Sequence, residues 1–189
     1  MVTVLRIGHR VQRDKRITSH LALVARAFGA SRIIITGEED ENLVQSIEKI
    51  VSEWGGSFHL DLVPYDEWKS ILYRWKEEKK KIVHLSMYGE NLSDFESTED
   101  FINLKNRPQN LENLLVIVGG EKVPGKVFQY ADWNIAIGNQ PHSEVSSLAV
   151  FLDHLIPNAL QIEFKNAGKR IYPSLRGKKR FKKDDDSGN

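Results

Sequence analysis

Short aliphatic runs alternate with amphipathic stretches along most of this chain, and that alternation leaves few folds open to it. Val2 to Ile7, Arg32 to Ile35, Phe58 to Val63, Lys81 to Leu85, Leu114 to Val118 and Trp133 to Ile137 read as strands. Between them lie helical stretches. Thr18 to Phe28 stops at Gly29. Glu41 to Trp54 places Leu43, Val44, Ile47, Ile50, Val51 and Trp54 at helical spacing before Gly55-Gly56. Tyr65 to Lys79, Glu96 to Leu104, Lys126 to Tyr130 and Ser143 to Ile156 complete the series. A strand that must pass through a helix before the next strand returns in parallel. The expected class is therefore α/β, a mostly parallel sheet with helices on both faces.

Two of the strands end in an unusual way. VIVGGEKVPG (Val116 to Gly125) and NIAIGNQPHSE (Asn134 to Glu144) each run from a β-branched segment into a glycine loop, a proline and a helix. Ser86-Met87-Tyr88-Gly89 is a third loop at a strand end. Each alone is readable as a turn. Together, at one sheet edge, Ser86–Gly89, Gly119–Pro124 and Gly138–Glu144 would enclose a pocket. No GxGxxG follows the first strand and no GxxxxGK[ST] occurs, so a dinucleotide fingerprint and a P-loop are both missing. Glu121 and Lys122 suit a ligand with a charged, amino-acid-like end. Ser143 is the stronger candidate for the helix N-cap, with His142 beside it. His9, His20, His84 and His142 lack metal-site spacing and the chain has no cysteine, so no metal and no disulfide is expected.

Net charge is +1, but the charges are segregated. Residues 1–32 hold seven Lys/Arg and one acid, Asp14, and residues 165–183 hold nine Lys/Arg and no acid. Basic ends on an acidic body fit a polyanion partner better than a uniformly solvated surface does. After Pro157, residues 160–165 and Lys169 to Tyr172 flank Asn166-Ala167-Gly168 and read as a hairpin. Residues 176–189 read as a disordered basic-then-acidic tail. The expected organisation is a main domain over 1–157, a hairpin extension over 158–175 and that tail. No apolar run is long enough to span a bilayer, so the expectation is a cytoplasmic protein with no membrane contact.

Three motifs in order carry a family resemblance: GHR-x-x-RD-x-R-x-x-x-H from Gly8 to His20, VGGEKVP from Val118 to Pro124, and GNQPHSEVSSLAVFLDHL from Gly138 to Leu155. The chain resembles the archaeal tRNA ribose 2′-O-methyltransferases of the SPOUT superfamily that act on cytidine 56. The resemblance covers most of residues 1–157. It implies a deep trefoil knot in the C-terminal part of the sheet, S-adenosylmethionine as cofactor, tRNA as partner and a homodimer. Carried over by motif, it implies cofactor contacts at Leu85, Gly119, Gly120, Glu121, Lys122, Val123, Ile137, Gly138, Asn139, Gln140, Pro141, His142, Ser143 and Glu144. Leu85 and Ile137 would be apolar walls. Asn139, Gln140 and Glu121 would meet ribose hydroxyls or the methionine end, in an order left open.

Methyl transfer from a sulfonium to a ribose hydroxyl asks a protein for positioning and charge stabilisation. An arginine fork suits the neighbouring phosphate and the developing alkoxide. The N-terminal motif offers Arg16 as the arginine nearest the chemistry, Arg10 as the second, and Asp14 as the residue that orients them. It departs from the superfamily's usual Asn-x-x-x-x-x-Arg. The plainer reading is that these arginines only neutralise phosphates, with His20 a packed or capping residue. Two other function classes stay open on the residues alone: a non-catalytic RNA-binding protein, and a flavodoxin-like nucleotide binder, which the missing phosphate loop disfavours.

Overall fold

The structure, a computed structural model, describes residues 2–120 and 123–182. Six strands form one sheet: β1 (Thr3–His9), β2 (Arg32–Gly37), β3 (His59–Val63), β4 (Lys81–Asn91), β5 (Leu114–Gly119) and β6 (Trp133–Ala136). Their order is β3-β2-β1-β5-β4-β6, and every pairing is parallel. Successive residues of a strand point their side chains to opposite faces. Val4, Ile33, Ile35, Val83, Val116 and Val118 therefore enter one core, while Leu5, Ile34, Ile82, Leu115 and Ile117 enter a smaller one on the other side.

The larger core is covered by α1 (Val11–Ala27), α2 (Glu41–Trp54), α4 (Leu92–Phe95), α5 (Glu99–Asn106) and α8 (Glu144–Leu155). The smaller core is covered by α3 (Glu67–Glu77) and α7 (Gly125–Tyr130). A further short helix, α6 (Pro108–Glu112), leads into β5. In α8, Leu148, Phe151, Leu152 and Leu155 are fully buried. At roughly 1.5–3 kcal/mol per side chain, that burial outweighs any local propensity. No helix among the described residues is long and apolar enough to cross a membrane.

Several boundaries differ from the sequence expectation. Helix α1 starts at Val11 rather than Thr18. The Asp14 carboxylate accepts the Arg10 backbone N–H at 3.1 Å, closing the first turn. The cations of the first two turns (Arg13, Lys15 and Arg16) are exposed, which hides the apolar period there. The short helix expected over Glu96 to Leu104 is α5 and starts at Glu99, because Thr98 caps it by accepting the Phe101 N–H at 3.2 Å, and the separate turn α4 precedes it. Strand β4 runs on to Asn91, but its register with β6 breaks between Leu85 and Glu90, so Ser86–Gly89 bulges out of the ladder.

The C-terminal extension requires a correction. A hairpin is present, but it pairs β7 (Lys169–Tyr172) with β8 (Lys179–Lys182), antiparallel. Residues 176–182 therefore belong to this hairpin and are not a disordered tail. Residues 183–189 lie outside the described residues. The expected first strand, 160–165, instead lies along the body. Ala159–Gln161 is a 3-10 turn, and the Gly56 N–H donates to the Lys165 carbonyl at 3.0 Å. The Phe164 ring lies 4.1 Å under the Arg26 guanidinium. Packing against α1 and α2 thus takes Ile162 and Phe164 away from any sheet partner.

Candidate active site

The carboxyl ends of the parallel strands collect the polar loops at one edge. Between β1 and β5 the sheet changes direction in chain order, which is where open α/β sheets form a crevice. There the Gly120 N–H donates to the Ile7 carbonyl at 3.1 Å. A Cβ on Gly120 would stand 2.4 Å from Arg6 Nη2 and 2.9 Å from the Gly8 carbonyl oxygen. Only glycine permits this approach.

Beside this seam is a pocket of about 200 Å³ lined by Leu85, Ser86, Met87, Val118, Gly119, Pro141, His142, Glu144 and Ser147. Parts of all three strand-end loops thus meet in one place. Asn139 ties two of them together, because its amide donates to the Met87 carbonyl at 2.8 Å. Ser143 is the N-cap of α8 and accepts the Val145 N–H at 3.2 Å. Its neighbour His142 is hydrogen-bonded through Nδ1 to Ser147 Oγ across 3.0 Å.

Not every residue named from the sequence lines this pocket. Ile137 packs against the larger core and Val123 against the smaller one. Gly138, Asn139 and Gln140 sit outside the pocket lining, with open space in front of Gly138. Glu121 and Lys122 lie outside the described residues. Two residues that sequence reasoning passes over belong to the site. Ser147 sits one turn into α8, buried on the same face as Phe151 and Leu155, where a serine reads only as a gap in the apolar stripe. Arg6 sits inside β1, where alternation predicts an apolar side chain.

Arg6 is completely buried. It donates through Nη1 to the Gly8 carbonyl, and its Nη2 lies 3.3 Å from Glu144 Oε1. Burial pushes its pKa below the usual guanidinium value, while the Glu144 and Asp14 carboxylates pull the other way. A buried charge needs such partners. Next to it, His9 is also buried; its Nδ1 lies 2.9 Å from Thr18 Oγ1 and its Nε2 3.6 Å from Asp40 Oδ2. Burial and the Arg6 charge both lower the His9 pKa.

The arginine motif is spread along the start of α1. Asp14 is buried and holds Arg10, whose Nε is 3.6 Å away. Arg16 is exposed on the solvent side of α1, as is His20, so His20 is not packed. Among the described residues of one chain, no bond ties Arg16 to the pocket. Nor does any cluster of three or more metal-ligating side chains occur among them.

The architecture is that of known RNA methyltransferases. A solved RNA 2′-O ribose methyltransferase superposes with a TM-score of 0.56 at 17% identity, over 85% of this chain and 55% of that one. The SpoU methyltransferase AviRb from Streptomyces viridochromogenes, solved in complex with the cofactor AdoMet, superposes with a TM-score of 0.54 at 12% identity, over 82% of this chain and 56% of that one. The chain thus spans little more than half of these proteins and shares their fold. Sequence likeness goes further. A tRNA (cytidine(56)-2′-O)-methyltransferase of Thermococcus kodakarensis is 51% identical over 180 residues, covering 95% of this chain and 96% of the relative. One of Methanopyrus kandleri is 47% identical over 177 residues, 93% of each. The model of the tRNA ribose 2′-O-methyltransferase family, aTrm56, matches residues 54–181. The chain belongs to that family.

Proposed function

We propose that this protein transfers a methyl group from S-adenosylmethionine to the ribose 2′-hydroxyl of cytidine 56 in tRNA. The observation that carries this is the convergence of the three strand-end loops on one pocket beside the Arg6–Gly120 seam, in a chain half identical to relatives of that name. The donor set fits the cofactor. Leu85 and Val118 offer apolar walls, the Gly119 backbone a close approach, and Glu144, Ser147 and His142 polar groups. When bound, the cofactor supplies an activated methyl.

The chain's own residues orient and stabilise. Asn139 and the Ser143 cap hold the 138–144 loop, and the Arg6–Glu144 link fixes it to β1. Asp14 holds Arg10 at the mouth of the N-terminal motif. Arg16 serves as the arginine that meets the target phosphate and the developing alkoxide. Its exposure on α1 suits a role across a homodimer, in which the partner's donor pocket faces it. The same reading threads the C-terminal part of the sheet as a trefoil knot; the fold likeness and the adjacency of β5, β4 and β6 support this. Residues 1–157 act as the methyltransferase domain, with the basic hairpin as an extension that meets tRNA.

The test is incubation with an unmodified tRNA transcript and methyl-labelled S-adenosylmethionine, followed by mapping of the modified ribose. Label is expected at position 56. A transcript with 2′-deoxycytidine there accepts none, and label elsewhere, or none at all, overturns the reading.

A further inference from the structure

We propose that a second crevice, at the ends of β1 and β2, is the seat of the target base, with Tyr65 as its stacking platform and Glu38 as the acceptor for the cytosine amino group. This rests on the function proposed above. The crevice measures about 300 Å³ and is lined by Gly8, His9, Arg10, Gly37, Glu38 and Tyr65. It lies across the seam from the donor pocket. Gly8 is common to both sides: its carbonyl accepts from Arg6, whose other amino group reaches Glu144 of the donor loop. A nucleoside with its base in the crevice leaves its ribose toward that seam.

Tyr65 is a large aromatic left 46% exposed. Its ring edge is 3.8 Å from where a Gly8 Cβ would stand, and Gly8 has φ +85°, so the slot depends on glycine there. An exposed aromatic beside arginine is how proteins hold an unstacked base. Glu38 is also exposed, beside the arginine-rich start of α1. A carboxylate there repels phosphate, so phosphate binding does not account for it. It is anchored: Oε2 accepts the Val11 N–H at 2.7 Å, and its own N–H donates to the His9 carbonyl at 2.9 Å. Glu38 lines the crevice, and the oxygen not held by Val11 is the one assigned here to the base. A carboxylate accepts from cytosine N4, whereas uracil presents an acceptor at that edge.

Two transcripts differing only in C or U at position 56 test this, with kcat/KM measured on each and cofactor affinity measured by calorimetry. The wild-type enzyme is expected to prefer cytidine. Glu38→Gln can keep its oxygen on the Val11 N–H and turn its NH₂ to the crevice, so it is expected to narrow that preference tenfold or more by gaining uridine. Tyr65→Ala is expected to raise KM for the transcript about tenfold at unchanged cofactor affinity, and Tyr65→Phe to recover most of that loss. An unchanged C-to-U ratio in Glu38→Gln overturns the base seat, as does an unchanged KM in Tyr65→Ala. A wild-type enzyme that methylates neither transcript overturns the parent reading and this one with it; normal methylation of cytidine with an unmoved ratio overturns only this one.

Discussion

Arg6 Nη2 lies 3.3 Å from Glu144 Oε1, joining the first strand to the helix that closes the donor pocket across 138 positions of sequence. Arg6 is wholly buried, while the Glu144 side chain keeps 18% exposure. Breaking such a pair strands a buried charge, at a cost of about 3–5 kcal/mol. Glu144→Ala is therefore expected to lower stability by several kcal/mol in denaturant titration and to weaken cofactor binding. Arg6→Met combined with Glu144→Leu should recover most of the stability and none of the binding. Full stability in Glu144→Ala would show that the link is incidental.

Arg16 makes no bond to the donor pocket among the described residues of its own chain, so its removal should leave that pocket intact. Arg16→Ala is expected to lower kcat for methyl transfer by ~10²-fold or more with the S-adenosylmethionine Kd unchanged, the signature of an interaction made in the transition state. Turnover near the wild-type level would remove Arg16 from the chemistry and leave Arg10 as the candidate.

The exposed cations of the hairpin should act through salt. Lys178, Lys179 and Arg180 are all exposed. Each cation that neutralises a phosphate adds about one unit to the slope of log K against log salt. Alanine at all three positions should weaken tRNA binding and flatten that slope in anisotropy titrations. An unaltered slope would place tRNA elsewhere.

His84 gives the fold a pH dependence. It is buried; its Nδ1 lies 2.9 Å from Asn134 Oδ1, and its ring meets Phe128 edge-on at 4.6 Å. Burial lowers its pKa below the ordinary 6.5, against the smaller opposing effect of Asn134. The unfolded chain then binds more protons than the folded one as pH falls below 6.5. Stability is thus fully present above that value and is lost on acidification. Melting temperature is expected to fall between pH 6.5 and 5, with His84→Gln giving a shallower decline. Because burial also lowers the His9 pKa, part of the decline should remain. Parallel curves for the two proteins would rule His84 out as the source.

How far the residues can be read depends on whether a feature is local. The α2 boundaries, the Ser143 cap and the alternating faces of the strands follow from neighbours within a few positions, and all are legible without the fold. Helix α1 reads short in the sequence because its charged first turns carry no apolar stripe. The hairpin partner is obscured because Ile162 and Phe164 have strand-like spacing, yet bury themselves on α1 and α2.

The element types of the six-stranded sheet and its main helices, the three loops that end strands, and the family with its motifs are written in the residues alone. Folding adds what no local pattern holds. It makes β1 and β5 neighbours, brings Arg6 in the interior of β1 to Glu144, turns Ser147 into the pocket, and sets Tyr65 and Glu38 around a second crevice at Gly8. Hydrophobic period reports burial one residue at a time. Strand order and charge pairing across 138 positions are long-range choices, made by packing the whole sheet at once.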